Sequence, residues 1–409
     1  MSDCLREMKN VPPEISATSV RAKPKVGIVI SGDLSRGLPF GGELGFLQHL
    51  LPELRLNYKA FGFVLDTHAG GSKVQLPTNV ELYPLFRARY PSSIPLRLQC
   101  LVGYWRNRKR ILSSGVDILY VHSWEIALPF LFGAKRLPVV FHQHGAANPA
   151  VCSRFRWARL FVFRWIYDLI LLVTHRRAEW TIAVDRLCMR QANRHGAAGK
   201  ATLVLNAVDT KSFRPDAAMR RAKRKEFGFS DSELVALFVG RLEEVKRVDR
   251  AIGAVHHLRA SRPRCRLLVV GEGSWRLRLE QCAHDLGVAA AVSFLGYVPH
   301  DELPALYNAA DVLLLPSERE GTPMVILEAL ACGTPVVATP IGGIPAIVRN
   351  ETNGFLLDEA TPPRLAYFLA RCASKTWDRS EVASSVHPYS ATTVARQLES
   401  LFEEVTIKW

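Results

Sequence analysis

Long apolar runs are missing from this chain of 409 residues. A membrane-crossing helix needs about 20 predominantly apolar residues. The nearest stretch, Leu160 to Thr174, is interrupted by Arg164 and Asp168, so no spanning helix is expected. The N-terminus carries no apolar signal region, and Met1–Lys23 is polar and irregular, which reads as a loose tail. The eight cysteines are scattered, with no Cys-x-x-Cys and no zinc spacing. That argues against a disulfide scaffold and suits a reducing cytosol. There is no internal repeat and no low-complexity tract. No Asp-x-Asp stands in a donor-site context and no carboxylate pair suits Mg²⁺ or Mn²⁺, so no metal is expected. Gly271-Glu272-Gly273 invites a dinucleotide reading, but Arg276 stands where the third glycine would fall.

What is present is an apolar chain, 48% hydrophobic, long enough for two domains of about 200 residues each. Its charge is lopsided. Residues 1–200 hold 28 Lys+Arg against 13 Asp+Glu, whereas residues 201–409 hold 25 against 25. The whole net charge of +15 therefore lies in the first half. Such an excess implies an anionic partner, a membrane surface or a nucleic acid, and no nucleic-acid motif is visible.

Short apolar runs alternate with longer mixed segments, the pattern of parallel α/β architecture. Val26–Ile30, Phe61–Leu65, Ile118–His122, Val139–Phe141, Thr181–Val184 and Ala201–Leu205 read as strands of a first domain. Leu234–Val239, Leu267–Gly271, Val292–Gly296, Val312–Leu315 and Val336–Ala338 read as strands of a second. The charged segment Asp216–Asp231 reads as a linker region. Val394, Leu398, Leu401, Phe402 and Val405 are spaced as one helix face.

The most informative segment is Glu320-Gly321-Thr322-Pro323-Met324-Val325-Ile326-Leu327-Glu328, lying between two apolar strands. Pro323 suits the first helical position. The first-turn amides and the positive end of the helix dipole then face an anion, with a carboxylate on each side. A diphosphate flanked by hydroxyl-rich rings, as in a nucleotide sugar, fits that arrangement. A glycosidase pair does not: eight helical residues rise about 12 Å, and hydrolytic carboxyls stand roughly 5–9.5 Å apart.

These residues resemble the E-x7-E signature of retaining GT-B glycosyltransferases of glycosyltransferase family 4. The resemblance continues in Pro316-Ser317, Ala331-Cys332-Gly333 and Pro335–Ala338, and upstream in Phe238–Leu242 with Lys246. Leu205–Asp209 with Phe213 and Pro215 is similar to the family's hinge motif, with Ala207 in place of the usual glycine. His144-Gly145 is similar to the "HG" of its first domain. The match covers residues 25 to 405. It implies two Rossmann-like domains facing across a cleft: an acceptor-side domain over 25–205 after a tail of 1–24, a nucleotide-sugar domain over 206–385, and a helix over 386–409 that crosses back.

The resemblance also implies roles. Arg241 and Lys246 would hold the phosphates and absorb charge as the diphosphate leaves. Glu320 would face the transferred sugar, and His144 would reach it near the reacting centre. Glu328 would take the ribose hydroxyls. Backbone at Gly240, Gly321, Thr322 and Met324 would meet the sugar and phosphate. Gly41-Gly42 resembles the glycine-rich loop that approaches the donor, with Leu44 where the family has Glu. Tyr297 and Val298 border the nucleobase, or Tyr297 is a buried ring at a strand end. Glu318 is out of register with the motif. His122 and His142 read as structural, and His142-x-His144 is not expected to be a metal pair because the two rings are expected to diverge. No metal is implied, since Arg, Lys and helix amides replace it.

Three functions remain open at this stage: a hexose transfer to a lipid-linked or polysaccharide acceptor, an epimerase or phosphorylase on the same fold, and a basic binding module without activity. For the first, Tyr104, Trp105, Arg106, Arg108, Lys109 and Arg110 form a candidate contact with an anionic bilayer. The protein would then be cytoplasmic and peripheral to the inner face of the plasma membrane. The arginines of Arg154–Arg177 do not share one helical face.

Overall fold

The computed structural model describes residues 23–30, 46–47, 49–66, 79–89, 92, 94–145, 161–259, 261–262 and 264–409. Gly41, Gly42, Glu43, Leu44, Arg154, Arg156 and Arg159 lie outside them.

Strand runs with little alternation must be covered on both faces, which is the condition of a parallel sheet between helices. Here Leu234–Val239 and Val312–Leu315 are buried at every position. Two such sheets form. The first contains β1 (Lys25–Val29), β2 (Asn57–Asp66), β3 (Val80–Arg89), β4 (Ile118–Val121), β5 (Val139–Gln143), β6 (Trp180–Ala183) and β7 (Ala201–Leu203), in the order β3-β2-β1-β4-β5-β6-β7. The second contains β8 (Leu234–Val239), β9 (Cys265–Val270), β10 (Val292–Gly296), β11 (Val312–Leu315), β12 (Val336–Ala338) and β13 (Gly354–Leu356), in the order β10-β9-β8-β11-β12-β13. All paired strands within both sheets run parallel. These are the two Rossmann-like domains expected from the sequence.

In each sheet the strand order reverses once, between β1 and β4 and between β8 and β11. Open α/β sheets bind ligands outside the carboxyl ends of strands at such a reversal. His122 follows β4 and His144 lies just beyond β5, while Arg241 follows β8 and Glu320 follows β11. The sequence therefore delivers its candidate residues to the same end of both sheets.

The C-terminal helix Ala391–Lys408 lays Val394, Leu398, Phe402 and Val405 into one core cluster with Val26, Ile28 and Tyr120 of the first sheet and with Phe46 of the helical turn that follows β1. The helix thus ties the end of the chain to the first domain. The segment read as a linker is corrected. Ala217–Glu226 is a helix, capped by Asp216, whose carboxylate accepts from the Met219 amide. Arg220 and Arg224 reach from it to Asp311 and to the carbonyl of Ala309. Two of the basic residues that suggest a solvated linker, Arg220 and Arg224, thus satisfy backbone carbonyls at a helix end.

Candidate active site

The loop after β11 carries Glu320 and Gly321 to the start of the helix Met324–Ala331. Pro323 is the residue before that helix, with extended backbone, one place earlier than expected. Glu320 therefore stands in the loop, and the helical rise does not separate the two glutamates. Its carboxylate accepts from the Lys246 ammonium at 2.7 Å, with both side chains largely buried. Arg241, at the end of β8, is exposed. Glu318 points elsewhere, to Arg247 at 2.7 Å and Arg250 at 2.6 Å.

The Glu320–Gly321 backbone is clamped from behind. The Gly343 amide donates to the Gly321 carbonyl at 2.6 Å. Gly342 has φ +57, and a Cβ there would sit 2.3 Å from the Glu320 carbonyl oxygen. Sequence reasoning missed Gly342; the Gly-Gly pair after β12 was its only signal. Gly271 and Gly273 serve a similar purpose. A Cβ on either would meet the Gly240 or Leu242 carbonyl at 1.9 or 2.3 Å. Those glycines pack the loops after β8 and β9 together and make no dinucleotide fingerprint.

Glu328 is buried, and its carboxylate is filled by the protein itself. His49 and His300 approach Oε1 through Nε2 at 3.2 and 3.1 Å, and Tyr307 donates to Oε2 at 2.7 Å. A carboxylate offers about four lone-pair positions, so three are taken before any ribose arrives. His49 belongs to a helical turn of the first domain, and its Nδ1 accepts from the Asp209 amide at 3.0 Å. His49, His300 and Tyr307 went unseen in the sequence because their meeting is long-range. Tyr297 is 64% exposed, so the reading of it as a buried ring fails. Val298 is partly buried against the second core.

Across the cleft, Gly321 faces His144: a Cβ on Gly321 would lie 3.2 Å from the His144 carbonyl oxygen. Thr322 donates to the Val184 carbonyl at 2.5 Å, and Asn206 of the hinge donates to the Thr322 carbonyl at 2.6 Å. His144 does not stand alone. The His142 and His144 rings stack at 4.2 Å and do not diverge, because residues two apart on a strand share one face. His122 Nδ1 lies 2.8 Å from His144 Nε2. Burial holds all three imidazoles below their usual pKa, His144 at about 3.

Residues 219–375 match the family described as Glycosyl transferases group 1, and residues 61–212 match Glycosyltransferase Family 4. The D-inositol 3-phosphate glycosyltransferase of Geodermatophilus obscurus is 37% identical over 387 residues, 87% of this chain and 81% of that protein. The chain belongs to glycosyltransferase family 4. An uncharacterised glycosyltransferase of Methanocaldococcus jannaschii is 34% identical over 185 residues, 44% of this chain, so the chain spans about half (47%) of that relative's length. Among solved structures, Anabaena HepE in complex with UDP and glucose superposes with a TM-score of 0.70 at 20% identity, covering 93% of this chain and 99% of that one. At that identity the likeness establishes the GT-B fold alone.

This family member presents a mixed outer face on the helix Leu96–Leu112. Tyr104 is corrected from the bilayer contact: it is 0% exposed, and its hydroxyl donates to the Ile30 and Phe61 carbonyls at 2.6 and 3.1 Å. Helical period places it inward with Cys100 and Ile111, and places Leu98, Val102 and Trp105 outward. Arg108 donates to the carbonyls of Phe132 and Lys135. Arg106, Lys109 and Arg110 are exposed beside Trp105. Among the described residues, no helix is long and apolar enough to cross a membrane.

The Glu328 cluster makes a pH prediction. Burial opposes a charged His300, but the hydrogen bond and charge of Glu328 prevail and raise its pKa above 6.5. Burial likewise opposes the Glu328 anion, yet His300 and His49 hold it well below the usual 4.5. Asp301, Asp209 and His49 also face this pair. The His300 contribution is therefore full below pH 6.5 and lost as pH rises through its raised folded value. That of Glu328 is present above pH 4.5 and lost as pH falls through its lowered one. Thermal stability of the wild type should decline more steeply above pH 6.5 than that of His300→Gln. Parallel profiles would show that the pairing is absent in solution.

Proposed function

We propose that this glycosyltransferase moves a hexose from a nucleoside-diphosphate sugar to a lipid-linked or glycan acceptor with retention, forming an α bond. The observation that carries the reading is the Lys246–Glu320 pair at the head of the helix Met324–Ala331, opposite His144. A diphosphate at that helix end meets first-turn amides with no intrahelical acceptor. It draws Lys246 and Arg241 toward the leaving oxygens, and Glu320 is released to bind sugar hydroxyls. Thr322 and Met324 supply backbone there, Gly240 lines the opposite loop, and Tyr297 and Val298 border the base. Glu328 retains one acceptor position for a ribose hydroxyl. The leaving diphosphate takes the acceptor's proton, and no enzymic nucleophile is used. The HepE complexes with UDP and with glucose support a donor of this class.

Arg and Lys neutralise the leaving group, so the reaction is proposed to need no metal or other cofactor. A second reading of the acceptor comes from the name of the Geodermatophilus relative: a phosphorylated polyol, D-inositol 3-phosphate.

The test is a donor panel with release of nucleoside diphosphate as readout, run with lipid-linked, glycan and inositol phosphate acceptors. Lys246→Ala and Glu320→Ala should each lose about 10²–10³ in rate while remaining folded, as for removal of one electrostatic stabiliser. Chelator should leave the wild-type rate unchanged. Near-normal turnover in folded Lys246→Ala, or loss in chelator restored by Mn²⁺, contradicts the assignment.

The acceptor is proposed to be met at an anionic surface, with the protein cytoplasmic and peripheral to the inner face of the plasma membrane. Trp105 with Arg106, Lys109 and Arg110 supplies an aromatic anchor and cations worth about 1 kcal/mol each. Sedimentation with anionic vesicles should occur at low salt and weaken at high salt. Exchanging the three cations for Gln should abolish it. Unchanged sedimentation would place the contact elsewhere.

A further inference from the structure

We propose that His122, His142 and His144 form a binding site for one divalent transition metal ion of the Zn²⁺ class. One nitrogen from each ring can be chosen so that all three lie within 4.8 Å of one another. The site is built by the fold. His142 and His144 share one strand face at the end of β5, and His122 comes from the end of the adjacent β4. Phe46 closes the cluster with ring contacts to all three at 5.1–6.3 Å.

Two buried nitrogens, His122 Nε2 and His142 Nε2, have no hydrogen-bond partner among the described residues. Buried polar atoms are seldom left so. His142 Nδ1 is held by the Tyr120 hydroxyl at 2.5 Å. With its proton on Nδ1, His142 presents the Nε2 lone pair, and the Tyr120 oxygen is the outer partner that ligating histidines ordinarily have. His122 and His144 share one proton between Nδ1 and Nε2. On metal binding that hydrogen bond is given up: His144 offers its Nε2 lone pair, and His122 keeps its proton on Nδ1 and ligates through the unpartnered Nε2. Nitrogens about 2.0–2.1 Å from a tetrahedral ion stand about 3.4 Å apart, so the three rings turn inward from their present spread of up to 4.8 Å to close on it. Three neutral imidazoles are the ligand set of an open zinc site and a poor one for Mg²⁺ or Ca²⁺.

The other compact set, His49, His300 and Glu328, is of a different kind. The Asp209 amide donates to His49 Nδ1 and so fixes the ring proton on Nε2, where it points at Glu328. That set is a hydrogen-bonded carboxylate.

If His144 reaches the transferred sugar, as the family resemblance implies, occupancy takes it from the cleft and makes the ion an inhibitor. The binding test does not depend on that reading. The full chain, stripped with chelator, is titrated calorimetrically with Zn²⁺ and spectroscopically with Co²⁺. One equivalent should bind, Co²⁺ should show the visible absorption of a four-coordinate ion, and Zn²⁺ should raise the melting temperature. His142→Ala and His122→Gln, each checked for folding by circular dichroism, should weaken Zn²⁺ by more than the roughly 10–100-fold of an outer-partner change. His300→Ala, likewise confirmed folded by circular dichroism, should bind as the wild type does. Absence of saturable binding, binding that survives both ligand variants, or binding lost in His300→Ala overturns the proposal.

Discussion

A carboxylate in a dry interior has to be compensated by donors, and Glu328 is compensated from both halves of the molecule. His49 comes from the first domain, and His300 and Tyr307 come from the second. The Asp209 amide at the hinge orients His49 in turn, and Phe213 packs edge-on against the same ring. The apposition of the two sheets, the start of the helix Met324–Ala331 and the hinge are thereby referred to one buried anion. Removing a single partner leaves the buried carboxylate short of one donor, which costs more than the hydrogen bond itself contributed.

From that fixed point the cleft follows. The helix that carries Glu328 also carries, one turn before its start, the Glu320–Gly321 loop, and the Gly342–Gly343 backbone holds that loop from behind. The close approach of Gly321 to His144 joins the two strand reversals into one site. Lys246 paired with Glu320 keeps a cation and an anion side by side in the absence of ligand. An incoming anion therefore finds its counter-charge already in place.

Much of this was legible in the sequence, for physical reasons. Strands such as Leu234–Val239 announced themselves because burial on both faces demands continuous apolar runs. Glu320, Lys246 and Glu328 were legible because a family signature fixes their spacing. His49 was not, since it meets Glu328 across 279 residues and no local pattern marks it. Tyr104 was misplaced because the charge run beside it was read without the helical period that turns it inward. The histidine cluster was missed because His142 and His144 were given opposite faces when strand period gives them the same one. Asp216–Asp231 reads as a linker because its charges look solvated, whereas Arg220 and Arg224 of the helix inside it reach the Ala309 carbonyl.

The proposed function is transfer with retention from a nucleoside-diphosphate sugar, without an enzymic nucleophile and with the leaving diphosphate taking the acceptor's proton. The most direct measurement is the anomeric configuration of the first product formed, followed by proton NMR from an α-linked donor selected in the donor panel. The account predicts an α-linked product formed together with nucleoside diphosphate. A β-linked product would contradict it.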